Sequence, residues 1–212
     1  MTTAVYAGPK RGIDRAVLLA HGAGADLEAP ALVAVAGALA ERGIPSLRFN
    51  YPYRDAGRRA PDRPAVLLGA TRAAAADLVG RTRLDPGRIV VGGRSMGGRY
   101  CSLVVADAED PLPALGLLLL GYPLHPAGKP DQPRVEHLGR IRVPTLFVSG
   151  TRDALGARAA LRRAARRVKG PVSWHWIETG DHSFKPLKSS GLSDEAVLTE
   201  LAAASADWVA SL

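Results

Sequence analysis

The sequence predicts an α/β fold with a mostly parallel sheet of about six strands and helices on both faces. Short apolar runs, each too short for a typical helix, alternate along the chain with longer stretches of helical periodicity. The run from Val17 to Ala20 is apolar at every position, which is typical of a strand buried on both faces of a parallel sheet. Strands and helices that alternate strictly need right-handed crossovers, and such crossovers place helices on both faces of the sheet.

Each element has its own local signals. The predicted strands are residues 17–20, 46–49, 89–91, 115–120, 145–149 and 172–177. The predicted helices are residues 30–42, 64–82, 96–106, 154–168 and 193–212, with a weaker one at 134–138. Pro30 suits the opening turn of the first helix, and Gly43 suits the position after its end. Ser193, followed by two acidic residues, suits the N-terminus of the last helix.

The composition predicts one domain over residues 1–212. Of the 212 residues, 47% are apolar, which is enough for a full core. We expect no secretory signal in residues 1–11 and no membrane span, because the longest apolar run, 115–120, is too short to cross a bilayer. Cys101 is the single cysteine, which excludes an internal disulfide and a cysteine-based metal site. These features predict a cytoplasmic protein that needs no metal ion and no organic cofactor.

The charge balance of the chain is basic. Its formal net charge is +8, and its sequence pI is near 10.1. The densest cluster of positive charge lies between Arg158 and Lys169, at helical spacing and opposite apolar residues. That spacing is typical of the solvated face of an amphipathic helix, so we do not expect nucleic acid as a partner. The alternative is a noncatalytic module whose basic surface binds nucleic acid or a protein.

The loops that follow the predicted strands contain every candidate functional residue. In a parallel sheet, ligands bind at the carboxyl ends of the strands. The loops are residues 21–26, 50–62, 92–96, 121–133, 150–153 and 178–188. A functional site is therefore expected where these loops meet.

The pentapeptide Gly93-Arg94-Ser95-Met96-Gly97 is the most informative motif of the chain. It directly follows a predicted strand and directly precedes a predicted helix, which is the setting of a nucleophile elbow. So tight a turn crowds the positions two residues before and two residues after the serine, and glycine occupies both. Ser95 is therefore the candidate nucleophile.

Asp153 and His182 are the candidate partners of Ser95. A serine hydroxyl is a weak nucleophile at neutral pH, so it needs a base to take its proton and a carboxylate to orient that base. Asp153 and His182 each follow a predicted strand, and the three residues occur in the order serine, aspartate, histidine. Glu178 is the best substitute for the acid. The remaining candidates are interpreted as structural: His137, His175 and Cys101.

The negative oxygen of a tetrahedral intermediate needs two N–H donors. Met96, directly after the nucleophile, supplies one at the start of the predicted helix, whose dipole also favours negative charge. The second donor is expected from the loop that begins at His21, with Ala23 as the first choice and Gly24 as the alternative. A phosphate-binding role for this loop is a weaker interpretation, because the glycine patterns of nucleotide-binding loops are absent.

The segment between Gly121 and Ile141 predicts an open site. It is only about 20 residues long, too short for a helical lid. An open, shallow site suits small acyl groups better than long ones, which need a deep apolar tunnel. Four residues of the strand-end loops are expected to contact the substrate: Tyr51, Arg54, Arg94 and His125.

Arginines near Ser95 form a predicted basic rim. Guanidinium groups bind carboxylates through paired N–H donors, so the rim indicates a substrate that carries a negative charge. The further members of the rim are Arg58, Arg59, Arg63 and Arg99. The alternative is that these arginines pair with acidic residues and hold the loops in place, with Asp55, Asp62 and Glu41 as the partners.

Five short motifs carry a family resemblance. They are HGAG (21–24), RFNYPY (48–53), PDR (61–63), GGRSMGGR (92–99) and GYPLHP (121–126). These motifs resemble those of the small α/β hydrolases related to dienelactone hydrolase and, more narrowly, of the group that includes the testis-expressed hydrolase-like protein and a chromatin-complex subunit. The resemblance covers essentially the whole chain and implies a lid-poor α/β-hydrolase fold with a triad of Ser95, Asp153 and His182. The elbow carries serine where dienelactone hydrolase carries cysteine, so the resemblance does not extend to a lactone substrate.

The sequence therefore predicts a serine hydrolase that cleaves carboxylic esters or thioesters of small acyl groups. Its partner is a small-molecule substrate, and neither a membrane nor a nucleic acid is expected to bind. The noncatalytic module is the alternative class of function. Nucleophile, base, acid and oxyanion loop occur together in one chain, and this combination favours the enzyme.

Overall fold

The computed structural model describes residues 2–212 and contains one sheet of seven strands. The strands are β1 (Ala4–Ala7), β2 (Ala16–Ala20), β3 (Ser46–Phe49), β4 (Ile89–Arg94), β5 (Gly116–Leu120), β6 (Thr145–Gly150) and β7 (Val172–Ile177). The helices are α1 (Pro30–Glu41), α2 (Pro52–Asp55), α3 (Pro64–Thr82), α4 (Met96–Val105), α5 (Arg158–Ala165) and α6 (Asp194–Ala210). Short 3-10 turns lie at Pro86–Arg88, Glu136–Arg140 and Lys188–Ser190.

The strands are ordered β1-β3-β2-β4-β5-β6-β7 across the sheet. Neighbouring strands are parallel, except that β1 runs antiparallel to β3. The predicted mostly parallel sheet with helices on both faces is confirmed, and all of the predicted strands are present. The predicted number of strands is too low by one, because β1 has only four residues, all half-buried, at the edge of the sheet.

The helices divide between the two faces of the sheet. Alternate residues of a strand point to opposite faces, so neighbours on one strand join different clusters. Leu18 of β2 packs in the cluster with α3, α4 and α5, whereas Val17 and Leu19 pack in the cluster with α1 and α6. Every residue of β2 and of β5 is buried. This burial on both faces is what the continuous apolar runs predicted.

Two predicted helices differ from the structure. The helix predicted at 154–168 begins at Arg158 and ends at Ala165. The residues before it form a turn instead, in which the Leu155 N–H donates to the Asp153 carboxylate at 2.8 Å. The weak helix predicted at 134–138 is a 3-10 turn at Glu136–Arg140. The segment 50–62 is predicted as a loop, but it contains the single helical turn α2.

Glycines let the elements around β4 approach very closely. A Cβ at Gly93 or at Gly97 would collide with the carbonyl oxygen of Ala20 at the end of β2. A Cβ at Gly92 would collide with the carbonyl oxygen of Leu118 on the other side of β4. Glycine is therefore required at both flanks of the elbow, because β2, β4 and α4 meet there.

His137 joins its 3-10 turn to α4 inside the core. Its Nε2 lies 2.8 Å from Ser102 Oγ and 3.3 Å from the Tyr122 hydroxyl. Burial, reinforced by the charges of Arg99 and Arg140, lowers the pKa of His137 to about 4. The neutral ring is thus part of the packed interior, in agreement with its structural interpretation.

The carboxyl edge of the sheet is not covered by a lid. Between β5 and β6 the described chain forms loops and one 3-10 turn, without an inserted helical domain. None of the helices within residues 2–212 combines the length and the apolar character needed to span a membrane.

Replacing Gly93 with alanine is expected to lower the free energy of unfolding by about 2 kcal/mol or more, because the new Cβ would force β2 away from β4. Gly69 in α3 is a matched control, since open space surrounds its Cβ position. Gly69→Ala is expected to raise stability by up to about 1 kcal/mol through its helix propensity. Chemical denaturation measures both changes, and a Gly93→Ala variant as stable as the wild type would contradict the close approach.

The folded protein is expected to lose stability as the pH falls from 7 to 4, because His137 binds its proton less readily in the folded state. Between the ordinary pKa of 6.5 and the folded pKa of about 4, the unfolded chain is protonated and the folded chain is not, so acid favours unfolding. The stability advantage of the wild type over His137→Gln is expected to shrink by about 3 kcal/mol in this range. Denaturation curves at several pH values measure the difference, which would be independent of pH if His137 were not buried and neutral.

Candidate active site

Ser95 lies at the turn between β4 and α4 in an unusual backbone conformation. Its φ is 49° and its ψ is −114°, a combination that residues other than glycine seldom adopt. The Ser95 N–H donates to the Leu120 carbonyl oxygen at 2.8 Å, so the turn is fastened to the end of β5. The predicted elbow thus has the strained strand-to-helix turn that exposes a serine side chain above the sheet.

The side chains of Ser95, His182 and Asp153 form a continuous series of hydrogen bonds. Ser95 Oγ lies 2.8 Å from His182 Nε2, and His182 Nδ1 lies 2.9 Å from both carboxylate oxygens of Asp153. A carboxylate can only accept, so Nδ1 carries the proton and Nε2 accepts from the serine hydroxyl. The structure therefore brings together the three residues that the sequence singles out.

Asp153 is held in a buried position at the end of β6. It is 2% exposed, whereas the side chain of His182 is 22% exposed. The turn that replaces the start of the predicted helix orients the carboxylate through the N–H of Leu155. Glu178, the predicted substitute acid, is exposed and makes no hydrogen bond with His182 in the described part of the chain.

The loop after β7 holds His182 through backbone contacts on both sides of it. The Arg152 N–H donates to the Gly180 carbonyl oxygen at 2.9 Å, which joins this loop to the loop after β6. Asp181 Oδ1 accepts from the Ser183 N–H at 2.7 Å and closes a tight turn around the histidine. The role of Asp181 is not among the sequence predictions, although an aspartate beside a glycine in a strand-end loop is a turn signal.

Backbone N–H groups suited to an oxyanion flank Ser95. Met96 is the first residue of α4, so its N–H has no acceptor within the helix. Ala23 is exposed, and Ala23 and Met96 both line the cavity that contains Ser95. Gly24, with a φ of +73°, reverses the loop and does not line this cavity. The geometry therefore favours Ala23 over Gly24 as the partner of Met96.

His21 fixes the loop that carries Ala23. Its ring is fully buried, with Nδ1 2.8 Å from the Gly22 carbonyl oxygen and Nε2 3.1 Å from the Tyr51 nitrogen. Because the Tyr51 N–H can only donate, Nε2 accepts and Nδ1 donates. Burial lowers the pKa of His21, so the ring is neutral at neutral pH and keeps both bonds. A histidine at a strand end carries no sequence signal for this anchoring role.

A cavity of about 320 Å³ opens beside Ser95. Five polar or charged residues of its wall come from three segments, namely the loop after β3, the elbow with α4, and the segment between β5 and β6: Asp62, Ser95, Arg99, His125 and Arg134. His125, one of the predicted substrate contacts, therefore lies in the cavity. Its Nδ1 lies 2.9 Å from the Pro126 carbonyl oxygen, which leaves Nε2 free to accept a hydrogen bond.

Two other predicted substrate contacts lie elsewhere. Tyr51 is fully buried, with its hydroxyl 3.1 Å from Thr71 Oγ1, so the prediction that it contacts a substrate is corrected. The ring packs edge-on against His21 in the core, which the sequence pattern of an exposed loop did not indicate. Arg54 pairs with Asp26 at 3.4 Å and does not line the cavity. For Arg54 the loop-holding alternative therefore applies, with a partner other than the three named.

Arg94 does not line this cavity. Its guanidinium donates to the His182 carbonyl oxygen at 3.3 Å and to Ser183 Oγ at 3.1 Å. It lines a second cavity of about 470 Å³ beside α1 and α6, and burial lowers its pKa. Arg94 is thus near the nucleophile, as predicted, but supports the histidine loop and faces a different space.

Arg134 and Leu155 also line the Ser95 cavity, and neither is among the site residues predicted from the sequence. Both are brought there by hydrogen bonds between distant loops. The Leu124 N–H donates to the Leu155 carbonyl oxygen at 2.8 Å, and the Arg134 N–H donates to the Leu124 carbonyl oxygen at 2.6 Å. Apolar periodicity carries no signal for this kind of loop packing.

The remaining reactive side chains do not form a second centre. Residues 2–212 contain no group of three or more His, Cys, Asp or Glu side chains placed to hold a metal ion. Cys101 is buried, and burial raises its pKa to about 12, so the thiol stays protonated. Its sulfur donates to the Gly92 carbonyl oxygen at 3.2 Å, which agrees with a packing role.

Known proteins resemble the chain in both sequence and fold. A family model described as "Alpha/beta hydrolase domain" matches residues 13–210. Dienelactone hydrolase from Anabaena variabilis superimposes with a TM-score of 0.75 at 20% identity, over 99% of this chain and 91% of that one. Est1E from Butyrivibrio proteoclasticus, with ferulic acid bound, gives 0.73 at 18% identity, over 99% and 94%. An α/β serine hydrolase without a lid from Xanthomonas campestris gives 0.69 at 19% identity, over 98% and 88%.

The two kinds of comparison carry different weight. The solved structures are at most 20% identical to the chain, so their likeness shows a shared fold and no more. The family match extends from the residues before β2 to the last residue of α6, and so includes every loop that forms the site. On that basis the chain belongs to the α/β hydrolase domain family.

Proposed function

We propose that the protein is a serine hydrolase that cleaves carboxylic esters or thioesters of small acyl groups. The observation that carries the proposal is the series of hydrogen bonds from Ser95 through His182 to buried Asp153, which begins at a strained turn beside an open cavity. The serine then has a base within hydrogen-bond reach, and that base is itself oriented by a carboxylate.

In the first half-reaction, Ser95 Oγ attacks the acyl carbon while His182 Nε2 takes the hydroxyl proton. Asp153 keeps the imidazole in the reactive tautomer and stabilises the imidazolium that forms. The carbonyl oxygen becomes negative and accepts hydrogen bonds from the N–H groups of Met96 and Ala23. The imidazolium then gives its proton to the leaving alcohol or thiol, and the acyl group stays on Ser95.

In the second half-reaction, water attacks the acyl group on Ser95. His182 Nε2 removes a proton from the water, and the same N–H donors stabilise the second tetrahedral intermediate. The bond to Ser95 Oγ breaks as His182 returns the proton to it. The carboxylic acid leaves, and the enzyme regains its starting state.

The size of the cavity supports small acyl groups as substrates. A volume of about 320 Å³ without a lid above it suits a short chain better than a fatty acyl chain. His125 is proposed to contact the substrate through its free Nε2. Arg94 is proposed as a positioning residue, because its hydrogen bonds hold the loop that carries His182.

The noncatalytic alternative has less support. Arg158 and Arg162 of α5 lie over the rings of Trp176 and Trp174, 4.8 and 5.8 Å from the ring centroids, so part of the basic face is engaged within the protein.

The proposed location of the protein is the cytoplasm, because a chain with a single cysteine suits a reducing compartment. The narrower kinship with the testis-expressed and chromatin-complex group stays a prediction that rests on the five motifs.

A fluorophosphonate probe is expected to add once to the wild-type protein, because the probe reacts with a serine that a neighbouring base activates. Ser95→Ala is expected to abolish the adduct. Asp153→Asn is expected to slow labelling by about a thousandfold or more, since the amide favours the wrong imidazole tautomer. Intact-mass measurement over time gives the adduct and its rate.

Ser102 provides a matched control for this labelling. Its Oγ also lies 2.8 Å from a histidine nitrogen, but the residue is fully buried beside His137. Ser102→Ala is therefore expected to keep the adduct on Ser95. A folded wild type without any adduct would contradict the proposed function and favour the noncatalytic class.

Short acyl chains are expected to react faster than long ones, because a lidless cavity of about 320 Å³ has little room for a long chain. The kcat/KM for 4-nitrophenyl butyrate is expected to exceed that for 4-nitrophenyl dodecanoate by about tenfold or more. Release of 4-nitrophenol, followed below micelle-forming concentrations, measures the ratio. Preference for dodecanoate would argue against a small acyl site.

A further inference from the structure

Two arginines line the same cavity as Ser95. Arg99 lies on α4 four residues after Ser95, so the two side chains occupy one face of the helix. Arg134 reaches the cavity from the segment between β5 and β6. The Arg99 guanidinium lies over the ring of Tyr100, another wall residue, at 5.5 Å from its centroid. One wall of the cavity thus carries two guanidinium groups.

Neither guanidinium has an acidic partner among residues 2–212. Arg99 Nε is buried and donates no hydrogen bond. Burial, and then the positive charge of Arg99, lowers the pKa of Arg134, so the two groups are close enough to repel each other. Two like charges that are close together and unpaired destabilise the empty cavity, and an anion between them would relieve this repulsion.

Asp62 does not supply that anion. It lines the cavity, but its Oδ1 accepts a hydrogen bond from Arg58 at 2.6 Å. Asp62 Oδ2 is buried and has no partner, but the charge of this carboxylate is balanced by Arg58, which lies outside the cavity wall. The cavity therefore keeps the uncompensated positive charge of Arg99 and Arg134.

The two arginines share their cavity with the proposed donors to the carbonyl oxygen. Met96 and Ala23, the proposed donors to the carbonyl oxygen, line this cavity together with Ser95. The residues beside His182, which must reach the leaving atom, line the other cavity: Arg94 and Ser183. The acyl group is therefore assigned to the cavity that holds Arg99 and Arg134.

We propose that the acyl group of the substrate ends in a second, free carboxylate, which Arg99 and Arg134 bind. This inference rests on the proposed hydrolase function and names its substrate class, the half-esters or half-thioesters of short dicarboxylic acids. Each guanidinium offers a fork of N–H donors that matches a carboxylate. Four residues of helix cover about 6 Å, so a spacer of a few methylene groups joins the reacting carbon to the bound carboxylate. Hydrolysis releases the dicarboxylate and an alcohol or thiol.

Monomethyl glutarate and methyl pentanoate test the inference, since their acyl chains are equally long and differ in the terminal carboxylate. The wild type is expected to prefer monomethyl glutarate. Arg99→Gln and Arg134→Gln are each expected to lower kcat/KM for monomethyl glutarate by about tenfold to a hundredfold, because each variant loses a charge-assisted hydrogen bond to the carboxylate. The value for methyl pentanoate is expected to stay within about twofold. Acid release in a pH-stat measures both esters.

Arg163→Gln is the matched control, because it removes the same charge from the exposed face of α5, far from the cavity wall. Both esters are expected to react as in the wild type. Arg99→Lys keeps a charge and is expected to restore part of the preference for monomethyl glutarate. If both glutamine variants lose activity on the two esters equally, the arginines do not read the carboxylate and the inference is overturned.

Acetoxyacetate carries its carboxylate on the leaving group. It therefore tests whether Arg99 and Arg134 bind a carboxylate of the acyl group or one of the leaving group. If the glutamine variants slow acetoxyacetate and not monomethyl glutarate, the arginines serve the leaving group and the acyl-side assignment is overturned. Turnover of acetoxyacetate that is unaffected by both variants supports the acyl side.

Fluorophosphonate labelling of Ser95 separates this inference from the proposed function. Labelling of the variants at the wild-type rate shows that they are folded. If the wild type is labelled and hydrolyses methyl pentanoate, but shows no preference that depends on Arg99 and Arg134, only the substrate class is overturned. If it is neither labelled nor active on any ester, the proposed function fails and the inference fails with it.

Discussion

The close approach of β2 to β4 and α4 is the constraint on which the site depends. The Ala20 carbonyl oxygen occupies the space that side chains at Gly93 and Gly97 would need. As a result, the end of β2, with His21 and the loop that carries Ala23, lies beside the first turn of α4. Hydrogen bonds orient the groups of the site, but the missing side chains set how far apart the nucleophile and the oxyanion loop are.

A glycine turn at the end of β5 lies below the point where His182 reaches Ser95. The two residues follow β7 and β4, and β5 and β6 lie between these strands in the sheet. At the end of β5 stands Gly121, with a φ of +60°. A Cβ there would lie 3.4 Å from the His182 carbonyl oxygen and 3.7 Å from its ring. These are ordinary van der Waals distances, so the positive φ, rather than a lack of space, is what favours glycine at this turn below the imidazole.

The fold and the three residues of the hydrogen-bonded series could be predicted because their signals are local. Ser95, Asp153 and His182 each follow a predicted strand, and parallel strands bring their carboxyl ends to one edge. Long-range packing left no such signal. Tyr51 looks exposed in sequence and is buried against His21, whereas Arg134 looks remote and is drawn to the cavity through its hydrogen bond to Leu124.

Local sequence signals also did not indicate where α5 begins or that β1 is a strand. Helical propensity extends back to Ala154. The residues before Arg158 nevertheless form the turn that orients Asp153, so the helix begins only at Arg158. β1 is half-buried and pairs only with β3, and its four residues are too short a run to distinguish an edge strand from a loop.

The aromatic stack at the other edge of the sheet has a consequence for how copies of the protein meet. Trp174 and Trp176 of the edge strand β7 stack on each other, and Trp174 stacks on Phe147 of β6. An open edge strand with flat aromatic side chains is a template for pairing with another chain. Guanidinium groups over both tryptophans place positive charge along this edge, so two identical molecules that approach edge to edge repel each other. The positive charges of α5, which resemble a surface for polyanions, thus oppose edge-to-edge contact between two copies.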